Sequence, residues 1–249
     1  MNLDTTDPET TVTLSTGHTV RVPLALSARI TGAVFPAPLD RVATLLPDRL
    51  RPLRVTPRRG AVTVLSVAYD RIGDDAMPPY DEVSVQIPAV ERSATTVPVL
   101  SGLRACTSGF VWTMPVTTEA SVALGREVWG YPKTVGEIST DRGQSRTQTT
   151  VDIDGQRLLA LTVDRPPRIA LGLSGYTYTE FEGALVREET GIRGKIGGWP
   201  WSGQATLELG DHPLAERLAD VEIGPTAVLR LAADCRFTIG PPERLDGDR

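Results

Sequence analysis

Short bursts of alternating apolar and polar residues, each cut off by glycine, proline or aspartate, run the length of this chain. A two-residue period belongs to strands with one buried face, and closely spaced breakers leave little room for long helices. Twenty prolines and 23 glycines supply the breaks. The pattern predicts strands over Ala61 to Tyr69, Val83 to Ile87 and Gly109 to Met114. Arg146 to Ile153 and Gln156 to Val163 flank Asp154-Gly155, a type I′ hairpin signal. Further strands are expected over Arg168 to Leu173, Gln204 to Leu209 and Thr226 to Ile239. Three short helices fit the remaining apolar spacing: Pro38 to Leu46, Glu119 to Arg126 capped by Thr117 or Thr118, and His212 or Pro213 to Ala219 capped by Asp211. With no repeat, low-complexity tract or linker, the expectation is one mostly-β domain over 1–249, with flexible termini at 1–12 and 241–249.

Charge and composition exclude several functions. The net charge is −5 with both signs interspersed, so no basic stripe exists to hold nucleic acid. No run of 18 apolar residues is present, which argues against a membrane span. The polar, acidic start, Met1 to Thr11, does not read as a secretory leader, so the cytoplasm is expected. Cys106 and Cys235 are expected to be reduced. The only histidines, His18 and His212, have no ligand-type neighbours at metal spacing, so neither a metal site nor a histidine-based triad is expected. Gly191 to Gly198 lacks the spacing of a phosphate loop and is expected to be a flexible loop near a site mouth. Gly172-Leu173-Ser174-Gly175 is one residue short of a nucleophile elbow.

Lysine usage is more telling. Of 26 basic residues only Lys133 and Lys195 are lysines. Lysine and arginine serve equally as solvated cations, but only a primary amine can lose a proton and attack a carbonyl. Lys133 stands among aromatics in Gly125-Arg126-Glu127-Val128-Trp129-Gly130-Tyr131-Pro132-Lys133; the plain alternative is a surface cation. Asp81-Glu82 precedes an apolar strand, and Phe110, Trp112 and Met114 alternate on one side of the next. One short helix joins that strand to Lys133, so the aromatic wall is expected to face the amine.

These segments resemble the acetoacetate decarboxylase superfamily over roughly residues 20 to 240. The family's nucleophile segment is matched by Glu127, Tyr131, Pro132 and Lys133 after Gly125-Arg126. Tyr80-x-Glu82 before Ile87-Pro88 matches its site carboxylate, and Met114 a pocket methionine. Pro38 to Leu50, Thr206 to Leu209 and Asp211 to Leu214 also look familial. The resemblance implies an α+β, mostly β fold: a cone- or barrel-like sheet of antiparallel strands with a few short helices outside. It implies catalysis by Lys133 and Glu82, and substrate contacts from Arg29 (to a substrate carboxylate), Met114, Trp129, Tyr131 and Phe110. It further implies a small carbonyl or keto-acid substrate, no external cofactor beyond a covalent Schiff base on Lys133, and a homo-oligomer.

Two departures stand out. The decarboxylases proper carry a second lysine where this chain has Thr134, and a further carboxylate in the strand occupied here by Val64-Leu65-Ser66. Acetoacetate decarboxylase is itself the known example of a lysine activated by desolvation or a cationic neighbour. Without that neighbour, Lys133 is expected to rely on burial to stay uncharged; an acid partner holding it protonated would undercut this. Three functions stay open: a decarboxylase-type Schiff-base lyase with Glu82 as proton shuttle; an aldolase, dehydratase or cyclase of secondary metabolism acting on a larger keto-substrate; and a non-catalytic scaffold that binds a small carbonyl compound.

Overall fold

The computed structural model describes residues 9–94, 108–200 and 203–245. The elements run β1 (Thr10–Thr13), β2 (Thr19–Val22), β3 (Leu24–Pro38), α1 (Leu39–Ala43), β4 (Leu50–Pro52), β5 (Arg59–Ile72), β6 (Tyr80–Ile87), β7 (Ala89–Glu91) and β8 (Gly109–Val116). They continue with α2 (Glu119–Trp129), β9 (Lys133–Val135), β10 (Glu137–Arg142), β11 (Arg146–Ile153), β12 (Gln156–Asp164) and β13 (Ile169–Phe181). The last are β14 (Ala184–Pro200), β15 (Ala205–Leu209), α3 (Pro213–Ala219), β16 (Leu229–Ile239) and β17 (Glu243–Arg244). Cys106 lies outside the described residues.

One nine-stranded sheet organises the molecule, in the order β13-β14-β16-β3-β5-β6-β8-β9 with β17 alongside β14. Its pairings are antiparallel except at β8–β9 and at β8–β13, where Thr177 meets Gly109 and Tyr178 meets Phe110. That last pairing joins the first strand of the order to β8, so the sheet closes on itself. This is the barrel-like, mostly antiparallel sheet the resemblance implied. A four-stranded sheet, β10-β11-β12-β15, packs on the outside of the barrel.

Two apolar clusters divide along the barrel wall. Leu24, Leu26, Val67, Tyr69, Tyr80, Met114, Trp129 and Tyr131 belong to the inner one. Val62, Val64, Val83 and Val85 join Val151, Leu159 and Leu161 of the second sheet in the outer one. Strands β5 and β6 are thus buried on both faces, which is why Ala61 to Ala68 reads as a nearly continuous apolar run.

Helix α2 is fixed at both ends. Thr118 accepts a hydrogen bond from the Ser121 backbone N–H, and Glu119 sits in the first turn, where the helix dipole favours an acid. Gly130 closes the helix in the left-handed region (φ 69°), turning the chain toward Tyr131, Pro132 and Lys133. The Asp154-Gly155 hairpin forms as expected, both residues at positive φ. A second hairpin with the same geometry, at Glu182-Gly183, joins β13 to β14.

Several expectations need correction. Gly191 to Gly198 is no loop: it lies within β14, paired on both sides, with Ile192 against Leu173 and Phe237. Helix α3 is capped by the His212 side chain rather than Asp211. Of the stretches expected to be flexible, 1–8 and 246–249 lie outside the described residues. Thr10–Thr13 pairs with β2, and Glu243–Arg244 with β14.

Candidate active site

A cavity of about 80 Å³ lies inside the barrel. Its polar lining residues include Lys133, Glu82, Tyr80, Tyr69, Ser84 and Gln86, its apolar ones Leu24, Leu26, Ile30, Leu65, Met114 and Trp129. Strand β6 supplies Tyr80, Glu82, Ser84 and Gln86 because every second residue faces inward. Lys133 opens β9, directly opposite Met114 on β8. Its backbone is held by the Arg126 guanidinium, which donates to the Lys133 carbonyl at 2.7 Å. Helix α2 must carry glycine where it meets the lysine stem, since a Cβ on Gly125 would lie 2.5 Å from Lys133 Cδ. The Trp129 indole donates to the Gly240 carbonyl at 2.9 Å, anchoring the wall beside the amine.

Lys133 and Glu82 are each 3% exposed. The ammonium contacts Glu82 Oε2 at 2.8 Å and donates to the Tyr80 hydroxyl at 3.2 Å. Tyr69 donates to the other carboxylate oxygen, Oε1, at 3.2 Å. This overturns the expectation of an amine kept neutral by burial. Burial does act to lower the lysine pKa, but the Glu82 charge, Tyr80 and the hydrogen bonds to both outweigh it, and the amine is held above its usual range. Burial pushes Tyr80 up to about 12, with Lys133 pulling the other way.

A second buried acid lies nearby. Tyr131, on the cavity wall, donates to Glu188 Oε1 at 2.5 Å. Glu188, on β14, is 1% exposed, and burial pushes its pKa up to about 8 against the lowering effect of that hydrogen bond. Among the described residues no group of three or more His, Cys, Asp or Glu side chains is placed to hold a metal ion, and no helix is long and apolar enough to cross a membrane.

The acetoacetate decarboxylase family model matches residues 10–240. The chain belongs to the acetoacetate decarboxylase family. Solved structures of similar fold include an acetoacetate decarboxylase (18% identity, TM-score 0.62, 90% of this chain and 89% of that one). Another is the acetoacetate decarboxylase of Legionella pneumophila (15%, 0.66, 98% and 93%). A third is the enduracididine biosynthesis enzyme MppR, in complex with pyruvate (14%, 0.67, 90% of both chains). No curated protein sequence matches.

Within this family member the barrel brings together five of the residues singled out in the sequence: Lys133, Glu82, Met114, Trp129 and Tyr131. Two are elsewhere. Arg29 sits on β3 between the inward Ala28 and Ile30, so strand alternation turns it outward, where it pairs with Asp70 at 2.9 Å. Phe110 packs with Leu50, Ala89, Tyr178 and Leu185. The reason is a β-bulge. Between Val85 and Gln86 the register against β8 skips Trp112, so the alternation inverts and Phe110 and Trp112 leave the face that Met114 keeps.

Sequence reading overlooked Tyr69 and Glu188. Glu188 carried a faint signal, because Val186, Glu188 and Thr190 fall in phase on one buried face of β14. Of the neutral stretch Val64-Leu65-Ser66, Leu65 lines the cavity. Thr134 follows Lys133 in an extended strand, so alternation turns the two side chains to opposite sides.

Proposed function

We propose that this family member is a lyase that forms a Schiff base between Lys133 and a small keto acid or related carbonyl compound. The observation that carries the reading is the Lys133–Glu82 pair buried in a cavity of substrate size. A volume of about 80 Å³ has room for a ligand of roughly five to eight heavy atoms, taking about 10–15 Å³ per water-sized group. That favours three- or four-carbon keto acids over the larger keto-substrate.

The resting ammonium is compatible with this chemistry because its proton has a destination within the site. Transfer from Lys133 to Glu82 across 2.8 Å leaves the pair with zero net charge before and after, so no charge is stranded in the dry interior. The freed amine adds to the carbonyl carbon and gives a carbinolamine. Glu82 then returns the proton to the departing hydroxyl; water leaves and the protonated imine remains. Tyr80, 3.2 Å from the nitrogen, orients the amine. The iminium accepts the electrons of a breaking C–C bond, releasing CO2 from a β-keto acid, or of a breaking C–H bond, giving an enamine able to condense with an aldehyde. MppR, whose structures include the condensation product of pyruvate and imidazole 4-carboxaldehyde, is a fold neighbour in which such a condensation product is bound.

With only two lysines in the chain, borohydride reduction in the presence of pyruvate or acetoacetate, followed by peptide mass spectrometry, is an unambiguous test. The adduct is expected on Lys133 and absent in Lys133→Arg. Reduction that modifies only the exposed Lys195, or nothing, overturns the reading and leaves a binding scaffold. CO2 release from acetoacetate, measured in parallel, separates decarboxylation from condensation. The expected self-association has support in the apolar side chains that β13 and β14 expose, Ile169, Leu171, Tyr176 and Trp199.

A further inference from the structure

Two acids are buried at this cavity, and the imine chemistry above uses only one. Glu82 and Tyr80 both lie against the Lys133 nitrogen, at 2.8 and 3.2 Å, where they serve bonds made and broken at nitrogen and at the carbonyl oxygen. The carbon that becomes nucleophilic in an enamine lies two bonds farther out, along the direction a substrate must extend from the amine.

Tyr131 lines the same cavity. Its ring centroid is 5.9 Å from Lys133 Nζ, and its hydroxyl is directed to Glu188 at 2.5 Å. Glu188 itself sits behind the wall, opposite Thr177 on β13. Its second oxygen, Oε2, is buried without a hydrogen-bond partner among the described residues. A carboxyl in that position gives nothing to folding beyond one hydrogen bond, and a non-ionisable side chain would provide that bond at less cost.

We propose that Tyr131 and Glu188 form a second proton-transfer pair, in which the Tyr131 hydroxyl exchanges a proton with the substrate carbon of the enamine on Lys133 while Glu188 resupplies or accepts that proton. The proposal rests on the Schiff-base reading and adds to it the group that serves carbon. In the protonating direction the enamine C=C takes the Tyr131 proton. A C–H bond forms, the Tyr131 O–H bond breaks, and the nitrogen lone pair becomes the C=N⁺ of the iminium. The Glu188 carboxyl proton moves to the phenolic oxygen, and the resulting carboxylate is reprotonated from solvent. In the reverse direction the C–H proton passes to Tyr131 as the Tyr131 proton passes to ionised Glu188. Tyr131 touches the substrate; Glu188 is a positioning residue acting through it.

The environment suits this division. Burial raises both groups; beyond it, the Tyr131 hydrogen bond lowers Glu188, and Tyr131 is raised further by Glu188 and then by Glu82 and Tyr80. Burial leaves Glu188 with a pKa of about 8, near the operating range of a general acid or base.

The test measures two things on the same samples: borohydride trapping of pyruvate on Lys133, and exchange of the pyruvate methyl protons in D2O followed by NMR. Wild-type protein is expected to trap, and exchange in Glu188→Gln and Tyr131→Phe is read per molecule of trapped Lys133. Exchange should fall about a hundredfold or more in both variants, the usual worth of a positioned acid or base. Wild-type exchange should rise with pH through a limb near 8, because removal of the C–H proton needs ionised Glu188, and that limb should vanish in Glu188→Gln. A merely structural Glu188 would instead depress trapping and exchange together and leave the limb in place, which overturns the proposal. So does wild-type exchange in Glu188→Gln. Wild-type protein that fails to trap withdraws the Schiff-base reading, and this proposal with it; trapping with unaltered exchange in the variants removes this proposal alone.

Discussion

Glu82 and Glu188 are the same side chain in nearly the same solvent, yet they are not the same group. Each is at most 3% exposed, and each accepts a hydrogen bond from a buried tyrosine, Tyr69 in one case and Tyr131 in the other. The difference is a cation. Glu82 has the Lys133 ammonium at 2.8 Å, whereas among the described residues Glu188 has no hydrogen-bond partner beyond the phenol, and burial pushes its pKa up to about 8. Burial pushes Glu188 up with no cation across the gap to oppose it. The same rule explains Lys133, which is buried but held above its usual range by what it faces.

The sharpest way to break the comparison is to remove the charge at Glu82. Glu82→Gln leaves a buried ammonium with Tyr80 alone, and truncating one partner of a buried pair costs about 3–5 kcal/mol. Urea unfolding at pH 7 should show that loss, and trapping at Lys133 should drop with it because the proton has no acceptor. Adding Lys133→Met to the same chain should restore much of the stability, since the stranded charge is then gone. If Glu82→Gln is as stable as wild type, Lys133 was never an ammonium in the folded protein, and the contrast between the two acids dissolves.

The next effect concerns Glu188 and runs through pH. A carboxyl whose folded pKa is raised from 4.5 to about 8 binds more protons folded than unfolded between those values. Wild-type stability should therefore fall as pH rises from about 5 to about 8 and level off above, losing a few kcal/mol from this group. Glu188→Gln keeps an acceptor for Tyr131 and has no proton to lose. Its melting temperature should exceed that of wild type at pH 8 and approach it near pH 5. A variant less stable than wild type at pH 8 would mean Glu188 is stabilised as a carboxylate by something Gln cannot copy.

Much of this was legible in the sequence because it depends on local periodicity. The strands, the Asp154-Gly155 hairpin and the capped helix before Lys133 follow from alternation, from a hairpin dipeptide and from a threonine cap. The lysine stood out because arginine had replaced it nearly everywhere else. Three things escaped, each for a non-local reason. The β8 bulge that diverts Phe110 depends on the register against β6, which no residue of β8 announces. Glu188 reaches Tyr131 across 57 residues of sequence, and only barrel closure brings them together. The charge state of Lys133 was misjudged because apolar neighbours in sequence indicate burial, whereas the acid that holds the proton comes from another strand.

The smallest expected effect belongs to Arg29, whose pair with Asp70 is the exposed counterpart of Lys133–Glu82. Both are strand-to-strand ion pairs at almost the same separation, 2.9 and 2.8 Å. The side chains of the first are about half exposed, at 49% and 51%, where water and salt screen the attraction and the worth of a pair is about 0–1 kcal/mol. Arg29→Ala should shift the unfolding midpoint slightly, less so as salt is raised, and should leave the pyruvate concentration for half-maximal trapping within about twofold. The argument is geometric: Ile30 faces the cavity, so its neighbour in an extended strand faces away. A tenfold weakening of trapping in Arg29→Ala would require β3 to turn over when substrate binds. The two pairs would then differ by occupancy of the site rather than by burial.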